Sequence, residues 1–309
     1  MTFPSNFPNS TVAIFGEVLA DVFPDQSVLG GAPFNAARHM QALGLHPVMI
    51  SSIGADNLGD QLMVEMDILG MDISGMQFDP IHPTGQVKVL LENGSPSYEI
   101  IPNQAYDHIS MAITHETVVE IEPALAYFGT LAQRGMESRL AAEQFLRDCK
   151  CPKFLDINLR EPWYKQEVIE HSLVAADIVK MNDGELQVLA SMLKLTGSSP
   201  QAQAMELQKR YALDLVLVTC GEAGSWLLDE DQHVSTVKPA VMEQPFVDSV
   251  GAGDAYSAVF ILGLLKGWDM QLTLERASSL ASAICSTRGA VPLNIDFYRA
   301  FKEAWNLAA

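Results

Sequence analysis

The chain has 309 residues, 48% apolar and 18% charged, which supplies a buried core and excludes a disordered polymer. Its formal net charge of −19 lacks the basic surface that nucleic-acid binding requires. It leaves room for a phosphorylated small ligand, because local N–H groups and a metal ion outweigh distant surface charge. Met1–Ser10 has no basic and apolar leader pattern, and no run reaches the roughly 18 apolar residues of a membrane helix, so neither a signal peptide nor a membrane span is expected. Four cysteines are few for this length and point to reduced thiols in the cytoplasm. Cys149-Lys150-Cys151 has no second pair to complete a zinc site.

In chain order, Ser10–Phe15 is an apolar run that predicts a first central strand, ending in Gly16-Glu17, with Asp21 in a loop or short excursion beyond it. Gly30-Gly31-Ala32-Pro33-Phe34-Asn35 opens a helix to Leu43, with Pro33 in its first turn and Gly44 closing it. Val48–Ile53 predicts a second strand, and Asp56 starts a helix ending near Gly70. Between Met71 and Ser110 two short β runs, Gln86–Leu91 and Tyr98–Ile101, flank Asn93-Gly94, a hairpin turn signal. No long helix separates them, so they predict a small antiparallel insert off the main sheet.

Alternation returns afterwards. Strands are expected at Leu125–Phe128, Phe154–Ile157, Ile178–Met181 and Leu215–Thr219, with helices at Glu137–Cys149, Asp183–Leu193 and Gln201–Arg210. Ser225–Leu228 and His233–Val237 form a hairpin-like pair, and Val241–Val247 reads as a further β run. Helices at Ala255–Leu265, Thr273–Thr287 and Asp296–Trp305 close the chain. Strands alternating with helices imply a mostly parallel sheet covered on both faces, an α/β class with one domain over 1–309 and a β insert near 71–110, with 17–30 as a further contributor.

The chemistry concentrates in Asp248-Ser249-Val250-Gly251-Ala252-Gly253-Asp254. Glycines at a junction leading into a helix leave outward N–H groups that favour an anion. An aspartate there repels the anion, so Asp254 is expected to take a proton from an attacking hydroxyl in phosphoryl transfer; a capping Asp at a tight turn is the alternative. No G-x-x-x-x-G-K-[ST] occurs, so a P-loop kinase is excluded, and no G-x-G-x-x-G follows the first strand, so a dinucleotide site has no support. Asn182-Asp183-Gly184-Glu185 fits a capping box as well as a metal-organising role.

Gly30-Gly31-Ala32-Pro33-Phe34-Asn35-Ala36-Ala37 and Asp248–Asp254 together resemble the two signature segments of the ribokinase-like (PfkB) carbohydrate kinases, and Asp156-Ile157-Asn158-Leu159-Arg160 is most similar to fructokinases. The resemblance implies a three-layer α/β/α fold with a small β-sheet lid, and ATP-dependent phosphorylation of a sugar, most of all fructose. A keto-deoxy sugar acid, ribose or a nucleoside is the alternative acceptor, and a catalytically silent binder is a second class of function. It implies Asp254 as base, with Gly251, Ala252 and Gly253 as the anion hole. Asp21, Gly31, Asn35, Tyr98 and Arg160 would meet the sugar, although Tyr98 also suits lid packing and Arg160 also suits a salt bridge to Asp156 or Glu161. Asn182, Thr219, Gly221, Gly224, Ala283, Ser286 and Gly289 would meet the nucleotide. Glu185 would hold Mg2+ through water, and Asp248 with Val250 fits a potassium position, a turn-stabilising Asp248 being the alternative. Lid strands with an exposed edge could pair in a homodimer.

Overall fold

The computed structural model describes residues 11–92, 95–242, 244–292 and 294–307. The first strand, β1 (Thr11–Phe15), is buried throughout. Side chains alternate along a strand, so Val12 and Ile14 enter one core while Ala13 and Phe15 enter the other. The chain then makes two strands outside the main sheet, β2 (Leu19–Val22) and β3 (Ser27–Gly30), and returns through α1 (Ala32–Ala42), β4 (His46–Gly54), α2 (Asn57–Ile68) and β5 (Met76–Asp79). A second excursion builds β6 (Gly85–Glu92) and β7 (Ser95–Ile100), followed by α3 (Met111–Ile121).

The alternation continues with β8 (Leu125–Gly129), α4 (Met136–Asp148), β9 (Lys153–Asp156), α5 (Gln166–Ala175) and β10 (Ile178–Asn182). Next come α6 (Asp183–Met192), α7 (Pro200–Tyr211), β11 (Leu215–Thr219), β12 (Ser225–Leu228) and β13 (Val234–Val237). Helices α8 (Ala252–Lys266), α9 (Met270–Ile284) and the short α10 (Arg299–Ala304) follow.

Two sheets result among the described residues. The larger has nine strands in the order β13-β12-β11-β10-β9-β8-β1-β4-β5, parallel except for the antiparallel pairings of β12 and β13. The smaller has the order β3-β2-β6-β7. Helices α1, α2, α8 and α9 pack on one face of the large sheet and α3 to α7 on the other, giving the expected α/β/α layers. The sequence of α8 is apolar almost all round, and every residue from Asp254 to Leu265 is buried. Its N-terminus is therefore fixed by the core behind it.

The short excursion that carries Asp21 is strand β2, and the small sheet is built from two separate segments of the chain. Other expectations change. Within 71–110, β5 belongs to the large sheet, paired parallel to β4, and not to the insert. The described residues of 241–247 form no strand, and Val241 is 91% exposed. Helix α3 escapes a periodicity reading because it turns Thr114 and Thr117 inward and leaves Ile113 and Val119 exposed. The Asn93-Gly94 turn lies outside the described residues, while β6 and β7 on either side pair antiparallel, Val89 opposite Tyr98. No helix among the described residues is long and apolar enough to cross a membrane.

Asp56 joins the core to the start of the lid. Its Oδ1 caps α2 by accepting from Gly59 N at 2.9 Å and also accepts from Thr84 Oγ1 at 2.8 Å, while Oδ2 accepts from Thr84 N at 2.8 Å. Partial burial pushes its pKa up but is outweighed by these donors, which hold the carboxyl below the usual carboxylate range. Asp56→Ala is expected to cost about 1–3 kcal/mol near neutral pH by chemical denaturation. A folded pKa below the unfolded one gives stability that is present above the ordinary carboxylate range and lost below it. The gap between wild type and variant should close as pH falls through the folded pKa.

Candidate active site

Helix α8 begins at Gly251, whose φ of 79° an L side chain adopts only with strain. A Cβ at that position would also lie 2.4 Å from Ala290 Cα and from its carbonyl oxygen, so the turn admits only glycine. The first-turn N–H groups of a helix have no carbonyl four residues back and carry the positive end of the dipole. Gly251, Ala252 and Gly253 line the cleft at this point, and Asp254 sits in the same turn, 9% exposed. The anion hole and the carboxylate are thus one piece of backbone.

Asp254 is held from a second element. Asn35 Nδ2, on the first turn of α1, donates to Asp254 Oδ2 at 2.9 Å. A Cβ at Gly30 would lie 3.7 Å from Asp21 Oδ2 and 3.8 Å from Asn35 Oδ1, so both polar groups neighbour this glycine. Gly31 has φ 107° and no room for a side chain against the Glu17 carbonyl, 2.7 Å away. Asp21, Gly31, Asn35 and Asp254 therefore meet at one end of the cleft. Burial lifts the Asp254 carboxyl to about 6, with Lys180 and the Asn35 hydrogen bond holding it from rising further. Burial raises Asp21 as well, opposed by Arg160.

Behind α8 lies a buried ion pair. Lys180 Nζ, in β10, donates to Asp156 Oδ1 at 3.1 Å and Oδ2 at 2.9 Å, and Asp156 Oδ2 also accepts from Tyr127 at 3.2 Å and Ser257 at 2.9 Å. Desolvation would lower the Lys180 pKa, but Asp156 and then Asp254 more than offset it and keep the ammonium charged. A Cβ at Gly253 would lie 3.1 Å from Lys180 Nζ, so this cation stands directly against the first turn of α8.

Asn182 and Glu185 form the capping box of α6: Asn182 Oδ1 accepts from Glu185 N, and Glu185 Oε2 accepts from Asn182 N, each at 2.8 Å. Glu185 Oε1 accepts from Leu159 N at 2.8 Å, tying α6 to the loop after β9. Both residues also border the cleft, so the structural and ligand-facing roles coexist. Each carboxylate oxygen retains acceptor capacity beyond one N–H, which fits a magnesium ion that keeps its own waters. Asp248 stabilises its turn, Oδ1 accepting from Val250 N at 2.6 Å and Oδ2 from Gly289 N at 3.4 Å. Val250 is 47% exposed at the rim.

Arg160 makes no ion pair with Asp156 or Glu161; it is exposed, faces the cleft and feels Glu17, Asp21 and Asp254. Tyr98 on the lid strand β7 is 56% exposed and borders the same space, so packing does not consume it. At the far end, Thr219, Gly221, Gly224 and Gly289 line the cleft. Ala283 and Ser286 do not; Ser278, Ala281, Ser282 and Cys285 of the α9 segment do, a helical stripe about one residue out of phase with the expected one. Together these residues bound a continuous cleft of ≈ 2130 Å³ that runs from the lid to α9.

The model of the pfkB family of carbohydrate kinases matches residues 9–296. The chain belongs to that family. It is accordingly a phosphotransferase with an alcohol group as acceptor, and an ATP-dependent sugar kinase. An uncharacterized sugar kinase of Pyrococcus horikoshii is 30% identical over 84% of this chain and 81% of its own. Its structure in complex with ATP superposes with a TM-score of 0.79, covering 96% of this chain and 100% of that one. A 5-dehydro-2-deoxygluconokinase of Clostridium perfringens is 26% identical over 84% of this chain and 78% of its own. The fructokinase of Vibrio cholerae, solved with fructose, ADP and calcium, shares the fold at a TM-score of 0.77 and 21% identity, covering 94% and 98% of the two chains.

Sequence reasoning on this sugar kinase missed Glu17, Lys180 and the role of Asp156. The signal was present: Lys180 and Asp156 are charged residues inside runs, Ile178–Met181 and Phe154–Ile157, that otherwise read as buried strand. A kinase whose base has a pKa of about 6 should lose kcat/KM as pH falls through that value, since the base acts ionised. Lys180→Met is expected to move that acid limb upward. Leaving Asp156 unpaired should also cost roughly 3–5 kcal/mol of stability, read by denaturation beside the pH–rate profile.

Proposed function

We propose that this kinase is a fructokinase, moving the γ-phosphoryl of ATP to a primary hydroxyl of D-fructose. The observation that carries this reading is the meeting of Asp254, Asn35 and Asp21 beside the start of α8. The acceptor hydroxyl lies against Asp254, which takes its proton as the oxygen attacks phosphorus, and ADP leaves on the opposite side. Charge spreads over the transferring oxygens in a loose transition state, so fixed donors matter more than covalent help from the protein. The N–H groups of the Gly251–Gly253 turn supply those donors. Lys180, pinned by Asp156, adds positive potential behind them.

Magnesium bound with ATP would neutralise phosphate charge, and Glu185 would hold it through water. Asn182, Thr219, Gly221, Gly224 and Gly289 border the nucleotide end, with Ser282 and Cys285 as the α9 wall. Closure of the β3-β2-β6-β7 sheet over the sugar excludes water and limits ATP hydrolysis. Asp21 and Asn35 read sugar hydroxyls, because an unmet polar group in a buried site is costly.

One observation favours a second reading. Arg160 has its guanidinium in the cleft without an ion pair to Asp156 or Glu161, and a forked cation suits a carboxylate-bearing acceptor such as a keto-deoxy sugar acid. A panel of ketoses, aldoses, sugar acids and nucleosides with ATP, following ADP release with and without magnesium and potassium, separates the two. Fructose turnover exceeding that of every sugar acid is expected; the reverse order would assign the acid. Asp254→Asn should lower kcat by about 10²–10⁴-fold while the chain stays folded. Unchanged turnover would refute the base assignment. Arg160→Gln should raise KM by about tenfold or more for a carboxylate-bearing acceptor and far less for a neutral ketose.

A further inference from the structure

Two buried polar atoms at the acceptor end of the cleft have no hydrogen-bond partner among the described residues, Glu17 Oε2 and Asn35 Oδ1. Glu17 follows β1 by one glycine, is 5% exposed and lines the cleft. The Gly30-Gly31 turn makes room for it, since a Cβ at Gly31 would lie 3.4 Å from Glu17 Cγ. A buried carboxylate oxygen that meets no donor is uncommon in a folded protein and marks a place where a ligand can supply one.

The charged and titratable neighbours do not supply it. Arg160 and Arg134 face Glu17 as cations and Asp254 as an anion, with the phenols of Tyr106 and Tyr127 on the lid side and the sheet side. Arg134 donates to Asp107 through Nε at 2.7 Å and Nη2 at 2.9 Å, while its Nη1 and the Tyr106 hydroxyl are buried without a partner of their own among the described residues and make no hydrogen bond to Glu17. Tyr127 donates to Asp156. No described side chain around Glu17 donates to Oε2, and the neighbouring orphan at Asn35 is also an acceptor oxygen. Two bare acceptor oxygens suit a polyol and repel an anion.

We propose that Glu17 is a further acceptor-binding residue, whose Oε2 accepts a hydrogen bond from a sugar hydroxyl other than the one that is phosphorylated. This rests on the sugar-kinase reading of the site and not on fructose being the sugar. Glu17 then selects for that hydroxyl, because a deoxy analogue leaves the carboxylate unpaired again. Burial lifts the Glu17 carboxyl to about 7, against its own backbone N–H and Arg160. The ionised form is the one that accepts, so acceptor binding weakens as pH falls through about 7, above the acid limb set by Asp254.

The test compares wild type with Glu17→Gln and Glu17→Ala, using the best acceptor of the panel. Expected are a rise of about tenfold or more in acceptor KM, an ATP KM within about twofold of wild type, and loss of the upper group from the acid limb of kcat/KM. One monodeoxy sugar that wild type discriminates against should become equal to its parent sugar in Glu17→Ala, which keeps no acceptor. The Gln variant should melt no lower than wild type at pH 8, because it removes a buried charge. An acceptor KM unchanged in the folded variants, or an equal rise for ATP and acceptor, would overturn the assignment. Failure of fructose while another sugar turns over counts against the fructokinase reading alone. Should no sugar turn over, calorimetric binding of the panel to wild type and Glu17→Gln decides, equal affinities overturning the proposal.

Discussion

One ammonium, Lys180, is buried between two carboxylates, Asp156 and Asp254, and the placement of the site depends on that arrangement. Neither carboxylate could stay charged so far from water without it, since an isolated buried charge neutralises or unfolds its surroundings. Asp156 takes the direct ion pair and adds hydrogen bonds from Tyr127 on β8 and Ser257 on α8. Three strands and one helix are thereby locked at the carboxyl ends of the parallel strands. Asp254 receives what remains of the positive potential, enough to stop its carboxyl near 6 rather than far above it. A base with that pKa is ionised at neutral pH yet still holds a proton well.

The packing of α8 converts this charge balance into geometry. The helix is apolar on all sides and buried along its length, so its first turn cannot drift relative to the sheet. Gly251 closes against Ala290, and Gly253 leaves space for Lys180. Donors for a phosphoryl group and the carboxylate for a hydroxyl proton are consequently adjacent residues of one rigid element. The lid is less firmly specified. Its four strands stand on two short excursions, fastened to the body at Asp56 and Thr84 and by the Arg134–Asp107 pair.

Much of this was legible in the sequence wherever one residue type alone permits the conformation. Gly251 and Gly31 need positive φ in crowded turns, so their spacing marked both halves of the site. The alternating layers were equally legible, because each central strand reads as a short apolar run. What escaped depended on distance in the chain. The pair Lys180–Asp156 joins residues 24 apart, and Ser257–Asp156 joins residues 101 apart. The α9 wall was misplaced because one residue of phase turns a helix by about 100°. Residues 17–30 could be named only as a further contributor to the lid, since β2 and β3 precede the hairpin that signals it and pair with it only in space. Glu17 escaped because a polar residue after a strand is ordinary in sequence and unusual only once one of its carboxylate oxygens is buried without a donor.

The central claim is that Asp254 is a dry carboxylate with a pKa raised to about 6 by burial and restrained by Lys180. Infrared difference titration of wild type against Asp254→Asn reads that carboxyl directly, without acceptor or nucleotide. A protonated-carboxyl band is expected that disappears with a midpoint near 6 in wild type and is absent from the variant. A midpoint at the ordinary aspartate value of about 4 would contradict it.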